Sequence, residues 1–95
     1  MTGAVRDNKE LHRFELEADG IMAFIIYRRA DGIVTFRHAE VPKAFEGHGI
    51  GSALAKGALD LVRASGEKAI AACSFIADYI RKHPEYADLL AKPNV

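Results

Sequence analysis

Apolar and charged residues alternate along the first strand-like stretch of the chain, residues 11–18. Phe14, Leu16 and Ala18 fall on one side of an extended backbone, because successive side chains of a strand point to opposite faces. The other side carries the charged residues Arg13, Glu15 and Glu17. The pattern therefore predicts a strand with one buried and one solvated face.

Two further strands follow, and tight turns separate the three. Asp19–Gly20 and Asp31–Gly32 are pairs that tolerate the positive φ of two-residue hairpin turns. Residues 21–27 are apolar at every position, which is typical of a central strand covered on both faces. Residues 33–41 form the third strand, and one of its faces carries Val34, Phe36, His38 and Glu40. We expect these strands to form an antiparallel meander.

The hydrophobic period changes to that of a helix in the second half of the chain. Residues 50–64 place their apolar side chains in one stripe, formed by Ile50, Leu54, Ala58, Leu61 and Val62. Gly66 is expected to end this helix. A short strand over residues 69–72 follows, and then a second helix over residues 74–83, capped by Ser74. The predicted order β-β-β-α-β-α describes an α/β fold with a mixed sheet, because a helix connects the third and fourth strands.

Composition limits the architecture and the classes of ligand. The 95 residues make one domain, residues 1–95, with a core over about residues 10–90. Basic and acidic side chains balance at 13 each, which argues against a nucleic-acid or anionic-membrane partner. No apolar run spans a bilayer, and the single cysteine suits a reducing compartment, so we expect a cytoplasmic protein. The four histidines and Cys73 lack the spacing of a metal site.

Three glycines, Gly47, Gly49 and Gly51, lie around the start of the first predicted helix. A helix N-terminus presents unpaired N–H groups, and glycines let a ligand approach them without a Cβ in the way. The run EGHGIG therefore predicts an anion cradle, most simply for a phosphate, although a tight turn that packs helix against sheet uses the same residues. Its spacing matches neither a dinucleotide-binding G-x-G-x-x-G nor a P-loop.

The same stretch resembles the cofactor signature of the GCN5-related N-acetyltransferase superfamily, Arg/Gln-x-x-Gly-x-Gly/Ala. Laid on residues 46–51, the signature matches Gly49 and Gly51, whereas Glu46 stands where Arg or Gln is usual. The blocks EVPKAFEGHGIG and CSFIADYIRKHPEYADL are similar to the compact, single-domain YjdJ-like branch of that superfamily. The resemblance covers about residues 10–90 and implies a shortened acyl-coenzyme A N-acyltransferase fold, with coenzyme A between the third and fourth strands.

The resemblance also implies which residues hold the cofactor, acetyl-coenzyme A. Backbone amides of the glycine loop would bind its pyrophosphate. Backbone near Val41, at the end of the third strand, would align the pantetheine arm and polarise the thioester carbonyl. The implied cofactor-binding residues are Val41, Glu46, Gly47, His48, Gly49, Ile50, Gly51, Ser52 and Cys73.

Four side chains are candidates for the chemistry: Cys73, His38, Glu40 and Tyr79. Cys73 precedes a helix whose dipole stabilises a thiolate, so it is either a nucleophile or a lining residue of the pantetheine tunnel, unless it is simply buried. His38 and Glu40 are candidate general bases, with ordinary packing or a surface salt bridge as the alternatives. By resemblance Tyr79 protonates the leaving thiolate, and core packing is its alternative. The segment KHPEY, residues 82–86, carries no evident chemistry.

Two functions follow from the resemblance. The first is transfer of an acetyl group from acetyl-coenzyme A to an amine acceptor that the sequence does not identify. The second is a coenzyme A or acyl-coenzyme A binding module with little transferase activity, because larger family members build the acceptor site from an N-terminal helix pair. An open groove or a partner chain would complete that site here, and the exposed sheet edge permits a monomer or a homodimer.

Overall fold

Asp–Gly turns connect the central strands of a five-stranded sheet in the computed structural model, which describes residues 4–43 and 49–91. In spatial order the strands are β1 (Arg6–Asn8), β2 (Arg13–Ala18), β3 (Ile21–Ala30), β4 (Ile33–Glu40) and β5 (Lys68–Ala71). The first four are antiparallel, and β5 runs parallel to β4. Both residues of each turn have positive φ, between 52° and 77°, as two-residue hairpins require. The predicted meander and mixed sheet are confirmed.

The predicted helices are confirmed to within one residue. They are α1 (Ile50–Ser65) and α2 (Ser74–Lys82), and a 3-10 helix (Pro84–Leu89) follows α2. Gly66 caps the end of α1 in a left-handed conformation with φ 79°, as expected. Two details differ from the prediction. The N-cap of α2 is Cys73, and the buried stripe of α1 contains Leu59 in place of Leu61, which is 37% exposed.

The helices of the described part of the chain cover one face of the sheet and leave the other uncovered, which corrects the expectation for the central strand. Ala23, Ile25 and Tyr27 of β3 are buried beneath the helices, whereas Ile26 on the opposite face is 37% exposed. The unbroken apolar run of β3 therefore does not mark a strand covered on both sides. We call the uncovered side, which carries Ile26, Ile70 and Glu40, the open face.

Alternation does not predict strand β1, because its three residues are all polar. The strand lies beside β2 and places Arg6 and Asn8 next to Glu15, which is only 1% exposed. Glu15 accepts hydrogen bonds from Arg6 Nε (3.0 Å), Asn8 Nδ2 (3.1 Å) and Arg13. Burial raises the pKa of Glu15, but these bonds outweigh it and hold the pKa below its ordinary value of 4.5. The prediction that this face of β2 is exposed to solvent is therefore wrong at Glu15.

A β-bulge at Arg37 changes the direction of the side chains in the last part of β4. The partners of Phe36 and His38 on β3 are consecutive residues, so Arg37 is an extra residue in β4. Beyond the bulge Ala39 packs against the core, while His38 and Glu40 lie on the open face with about 60% of each side chain exposed. The prediction that His38 and Glu40 share a face with Phe36 is therefore wrong.

The site predicted from the sequence lies where the parallel strands end. Pairing between β4 and β5 stops at Phe36 and Ala71, although β4 continues to Glu40. Beyond Phe36, β4 keeps β3 on one side and has no described strand on the other. Because α1 follows β4 and α2 follows β5, both helices begin at this end of the sheet.

Candidate cofactor-binding and active site

The first turn of α1 presents backbone amides that lack a capping partner. Its N-cap residue, Gly49, is left-handed with φ 73°, no side chain caps the helix, and no acidic residue lies in the first turn. The helical bonds begin with Ala53 N donating to Gly49 O at 3.0 Å. The amides of Ile50, Gly51 and Ser52 thus find no acceptor among the described residues. Together with the helix dipole, these donors favour an anion.

The two described glycines of the loop have different roles. A Cβ on Gly49 would meet no atom of the described residues within 4 Å, and the positive φ is the feature that favours glycine at this position. A Cβ on Gly51 would lie 3.3 Å from the ring of Phe75 and 3.8 Å from Val41 Cγ2. Gly51 therefore lets the end of β4, the start of α1 and the start of α2 approach closely. The close-packing interpretation is supported at Gly51, and the anion cradle stays a prediction.

The other predicted cofactor-binding residues are only partly described. Glu46, Gly47 and His48 lie outside the described residues. Ile50 is 8% exposed, and Ser52 is exposed in the first turn of the helix. In residues 4–43 and 49–91 no three His, Cys, Asp or Glu side chains could hold a metal ion, and no helix is long and apolar enough to cross a membrane.

Cys73 lies at the N-terminus of α2, on the helix side of the sheet. It is 8% exposed, packs within the hydrophobic core, and forms no disulfide. Its backbone carbonyl accepts the first helical bond of α2, from Ala77 N at 3.0 Å. The thiol is thus placed at the gap between β4 and β5, in an apolar environment.

His38 and Glu40 lie on the other side of β4. Their side chains approach to 3.8 Å between Nε2 and Oε1, a loose contact in solvent. They line a shallow pocket of about 410 Å³ on the open face, formed by Met22, Phe24, His38, Ala39, Glu40, Val41 and Pro42. Strand β4 therefore separates the four predicted catalytic residues into two pairs, with Cys73 and Tyr79 on the helix side.

Tyr79 faces α1 from the middle of α2. Its ring stacks on His83 with centroids 3.9 Å apart and planes at 14°, and its hydroxyl has no hydrogen-bond partner among the described residues. Burial raises the pKa of Tyr79 above its ordinary value of 10.0, an effect that the nearby Lys56 opposes. The phenol is thus protonated at neutral pH and can donate a proton or a hydrogen bond.

Four residues beside Tyr79 are absent from the predicted site. A pocket of about 250 Å³ between α1 and α2 is lined by Ser52, Phe75, Asp78, Tyr79, Lys82 and His83. The sequence did not single out Phe75, Asp78, Lys82 and His83. These four residues and Tyr79 recur at helical spacing along α2 and its C-cap, and this periodicity alone would have placed them on one face. The spacing could not show that α1 begins beside that face.

Known proteins that are similar to this chain include members of one enzyme family. A family model described as GCN5-related N-acetyltransferase matches residues 13–89. Protein NATD1 from Mus musculus is 34% identical over 83 residues, which cover 84% of this chain and 76% of that protein. Protein NATD1 from Gallus gallus is 44% identical over 52 residues, which cover 55% of this chain and 47% of that protein. This match therefore spans about half of the length of the Gallus gallus protein. A GCN5-like protein from Staphylococcus aureus, solved by NMR, superposes with a TM-score of 0.70 at 26% identity, covering 95% of this chain and 89% of that one.

Proposed function

This chain belongs to the GCN5-related N-acetyltransferase family, and we propose that it transfers an acetyl group from acetyl-coenzyme A to an amine. The observation that carries the proposal is the first turn of α1. Its amides at Ile50, Gly51 and Ser52 have no described acceptor, and the left-handed Gly49 leaves them accessible without a Cβ. Converging N–H groups and the positive end of a helix dipole suit the pyrophosphate of the cofactor.

The pantetheine arm would lie in the gap between β4 and β5. From Arg37 onward, one edge of β4 has no strand partner among the described residues, so its N–H and C=O groups remain for another chain. The arm carries amide groups that can pair with such an edge as a further strand would. Val41 and Cys73 then border its path from the cradle.

The acetyl thioester is the reactive group that the cofactor supplies. In direct transfer, the amine nitrogen forms a bond to the acetyl carbon as the carbon–sulfur bond breaks, the amine loses a proton and the thiolate gains one. Glu40 or His38 would accept the amine proton from the open face, and a backbone N–H near Val41 would polarise the carbonyl. Tyr79 is the candidate donor to the thiolate, because its phenol is protonated and has no hydrogen-bond partner among the described residues.

The alternative function is a binding module for coenzyme A or its acyl form. The observation that favours it is the exposure of the candidate bases, since 61% of the His38 side chain and 60% of the Glu40 side chain lie in solvent. A screen of small amines and amino-terminal peptides with acetyl-coenzyme A distinguishes the two functions. Turnover that Glu40→Gln or His38→Gln lowers supports the enzyme, and binding without turnover supports the module.

The cradle is tested by calorimetry with acetyl-coenzyme A and coenzyme A on matched variants. Gly49 and Gly66 are both left-handed, at φ 73° and 79°, both have open space around a Cβ, and they cap opposite ends of α1. Gly49→Trp and Gly66→Trp therefore impose similar backbone strain, about 1 kcal/mol each. We expect Gly49→Trp to lose binding, because the indole fills the cradle, and Gly66→Trp to retain it.

Equal binding by the two tryptophan variants would contradict the proposed cradle. Failure of the unmodified protein to bind either form of coenzyme A would overturn the proposed function. Thermal unfolding of both variants checks that any loss of binding is local to the cradle.

A further inference from the structure

A second shallow pocket adjoins the one that His38 and Glu40 line. Its volume is about 430 Å³. The residues that line it include Ile26, Arg28, Arg29 and Arg37. Ile26 is the strand partner of His38, and Arg37 precedes His38 in the chain. The two pockets are therefore neighbours along β3 and β4, and a ligand on the open face can reach from one to the other.

The β-bulge of β4 supplies a residue to each of these pockets. Arg37 and His38 both lie opposite Ile26, because Arg37 is the extra residue of the bulge. Arg37 lines one pocket together with Ile26 and Arg28, whereas His38 lines the pocket of the candidate bases. One irregularity of the strand thus places a cation beside a candidate general base.

The positive charge of the second pocket is only partly matched. Arg29 pairs with Asp7 at 3.0 Å and with Glu67 at 2.8 Å. Arg28 and Arg37 are exposed, and their guanidinium groups have no ion-pair or hydrogen-bond partner among the described residues. No Asp or Glu in that part of the chain lines the pocket. Because a guanidinium group presents paired N–H donors that fit a carboxylate or a phosphate, this pocket favours an anion.

The register of β3 and β4 gives the separation between the arginines and the candidate bases. Arg28 lies two residues beyond Ile26, which is the partner of His38. It lies four residues beyond Phe24, which is the partner of Glu40. At a rise of about 3.3 Å per residue, these separations are roughly 7 Å and roughly 13 Å along the strand. The apolar side chains of Phe24 and Ile26 lie between the two ends.

We propose that the acceptor of this protein is an amine that carries a carboxylate or phosphate group about 7–13 Å from its nitrogen, and that Arg28 and Arg37 bind this group. The inference rests on the proposed function, since the amine must reach the candidate bases on the open face. It names the class of acceptor that the proposed function leaves open. The part of the acceptor between its amine and its anion would lie over Phe24 and Ile26.

Matched acceptors test the inference with the unmodified chain and acetyl-coenzyme A. The compounds 8-aminooctanoate and 8-aminooctanamide have the same extended length, which falls within this range, and differ in the charge at the end remote from the amine. We expect kcat/KM to be about fivefold higher for the carboxylate, chiefly through a lower KM, because partly exposed ion pairs contribute modestly to binding. A third acceptor, 8-aminooctyl phosphate, shows which of the two anions is preferred.

Three arginine variants locate the anion. Arg28→Gln and Arg37→Gln should each reduce the preference for the carboxylate, and the double variant should abolish it. Arg81→Gln removes the same charge from an exposed position on α2 and should leave the preference unchanged. All of these side chains are exposed, so thermal unfolding should differ little among the variants.

Binding is also measured without turnover, by NMR titration of the isotope-labelled protein in the absence of acetyl-coenzyme A. We expect 8-aminooctanoate to shift the Nε–H signals of Arg28 and Arg37 more than 8-aminooctanamide does. Equal shifts by the two compounds, or a preference for the carboxylate that survives loss of both arginines, would overturn the inference. A protein that acetylates neither amine contradicts the proposed function, whereas the titration still decides whether the two arginines bind the anion.

Discussion

The surroundings of the Cys73 thiol, at the N-terminus of α2, distinguish between its two candidate roles, nucleophile and lining residue of the pantetheine tunnel. Cys73 follows a strand and is the N-cap of α2, and its side chain is 8% exposed and packs with apolar neighbours. Buried cysteines in apolar surroundings are generally inert, whereas reactive ones lie in electropositive, partly exposed sites. We therefore expect Cys73 to line the path of the pantetheine arm and the acetyl group to pass directly to the amine.

Cys73→Ala tests this expectation. Alanine keeps the small apolar volume, so affinity for coenzyme A should stay within about threefold of the unmodified protein. Intact-mass spectrometry of the unmodified protein after incubation with acetyl-coenzyme A should detect no acetylated chain. An acetyl adduct that is absent from Cys73→Ala would instead make Cys73 the nucleophile.

Strand β1 is held against the rest of the fold by a few specific contacts. Arg29 joins Asp7 of β1 at 3.0 Å to Glu67, which precedes β5, at 2.8 Å. Val5, just before β1, packs against Gly57 of α1 so closely that a Cβ on Gly57 would lie 2.3 Å from Val5 Cγ2. The glycine in the middle of α1 is thus explained by the approach of β1.

Gly57→Ala should therefore destabilise the protein, although alanine is the better helix former by about 1 kcal/mol. Overpacking against Val5 costs about 1–3 kcal/mol, so we expect a net loss near 1 kcal/mol in urea unfolding. The added Cβ would also lie 2.6 Å from Val5 Cβ, so Val5→Gly is the change that removes the clash, and the double variant should be more stable than Val5→Gly alone. A Gly57→Ala variant more stable than the unmodified protein would mean that β1 moves aside at little cost.

Across the whole molecule, stability depends on carboxylates that are paired in the folded state. Burial raises the pKa values of Glu15 and Asp60, but hydrogen bonds outweigh burial and hold both pKa values below the ordinary ones. The donors to Glu15 are two arginines and Asn8. The donors to Asp60 are Lys56 and Tyr86. A carboxyl group with a lowered folded-state pKa stabilises the fold above its unfolded-state pKa, and this contribution is lost as the pH falls through the folded value. At the alkaline end, burial raises the pKa of Tyr27 to about 12, so its contribution is lost as the pH rises from 10.0 toward that value.

Glu15→Gln and Glu17→Gln make a matched pair on one strand, because Glu15 is buried and Glu17 is exposed. At pH 7 we expect Glu15→Gln to lose about 2 kcal/mol of unfolding free energy, since it weakens three hydrogen bonds to a buried carboxylate. Glu17→Gln should change it by less than about 0.5 kcal/mol. Urea unfolding below pH 4.5 should show the Glu15→Gln difference shrinking, because the unmodified Glu15 itself takes up a proton. A difference independent of pH would show that the ion pairs contribute nothing.

Much of the fold follows from residues that are close together in the chain. Each Asp–Gly pair supplies the positive φ of a hairpin turn, and Gly66 supplies that of the α1 C-terminus. The change of hydrophobic period from two to 3.6 residues distinguishes the meander from the helices. These signals act within one turn or one pair of residues, which is why the element bounds and the position of the glycine loop could be predicted.

The order of the elements, the turns and the glycines at the start of α1 follow from the sequence, because each depends on local backbone preferences. The tertiary structure alone decided what surrounds those elements. The bulge at Arg37 exists only through the register with β3, and it moves His38 and Glu40 to the open face. Glu15 is buried because distant Arg6 and Asn8 cover it. Phe75 shares a pocket with Ser52 because α1 and α2 begin at the same end of a parallel strand pair, a proximity that no local pattern encodes.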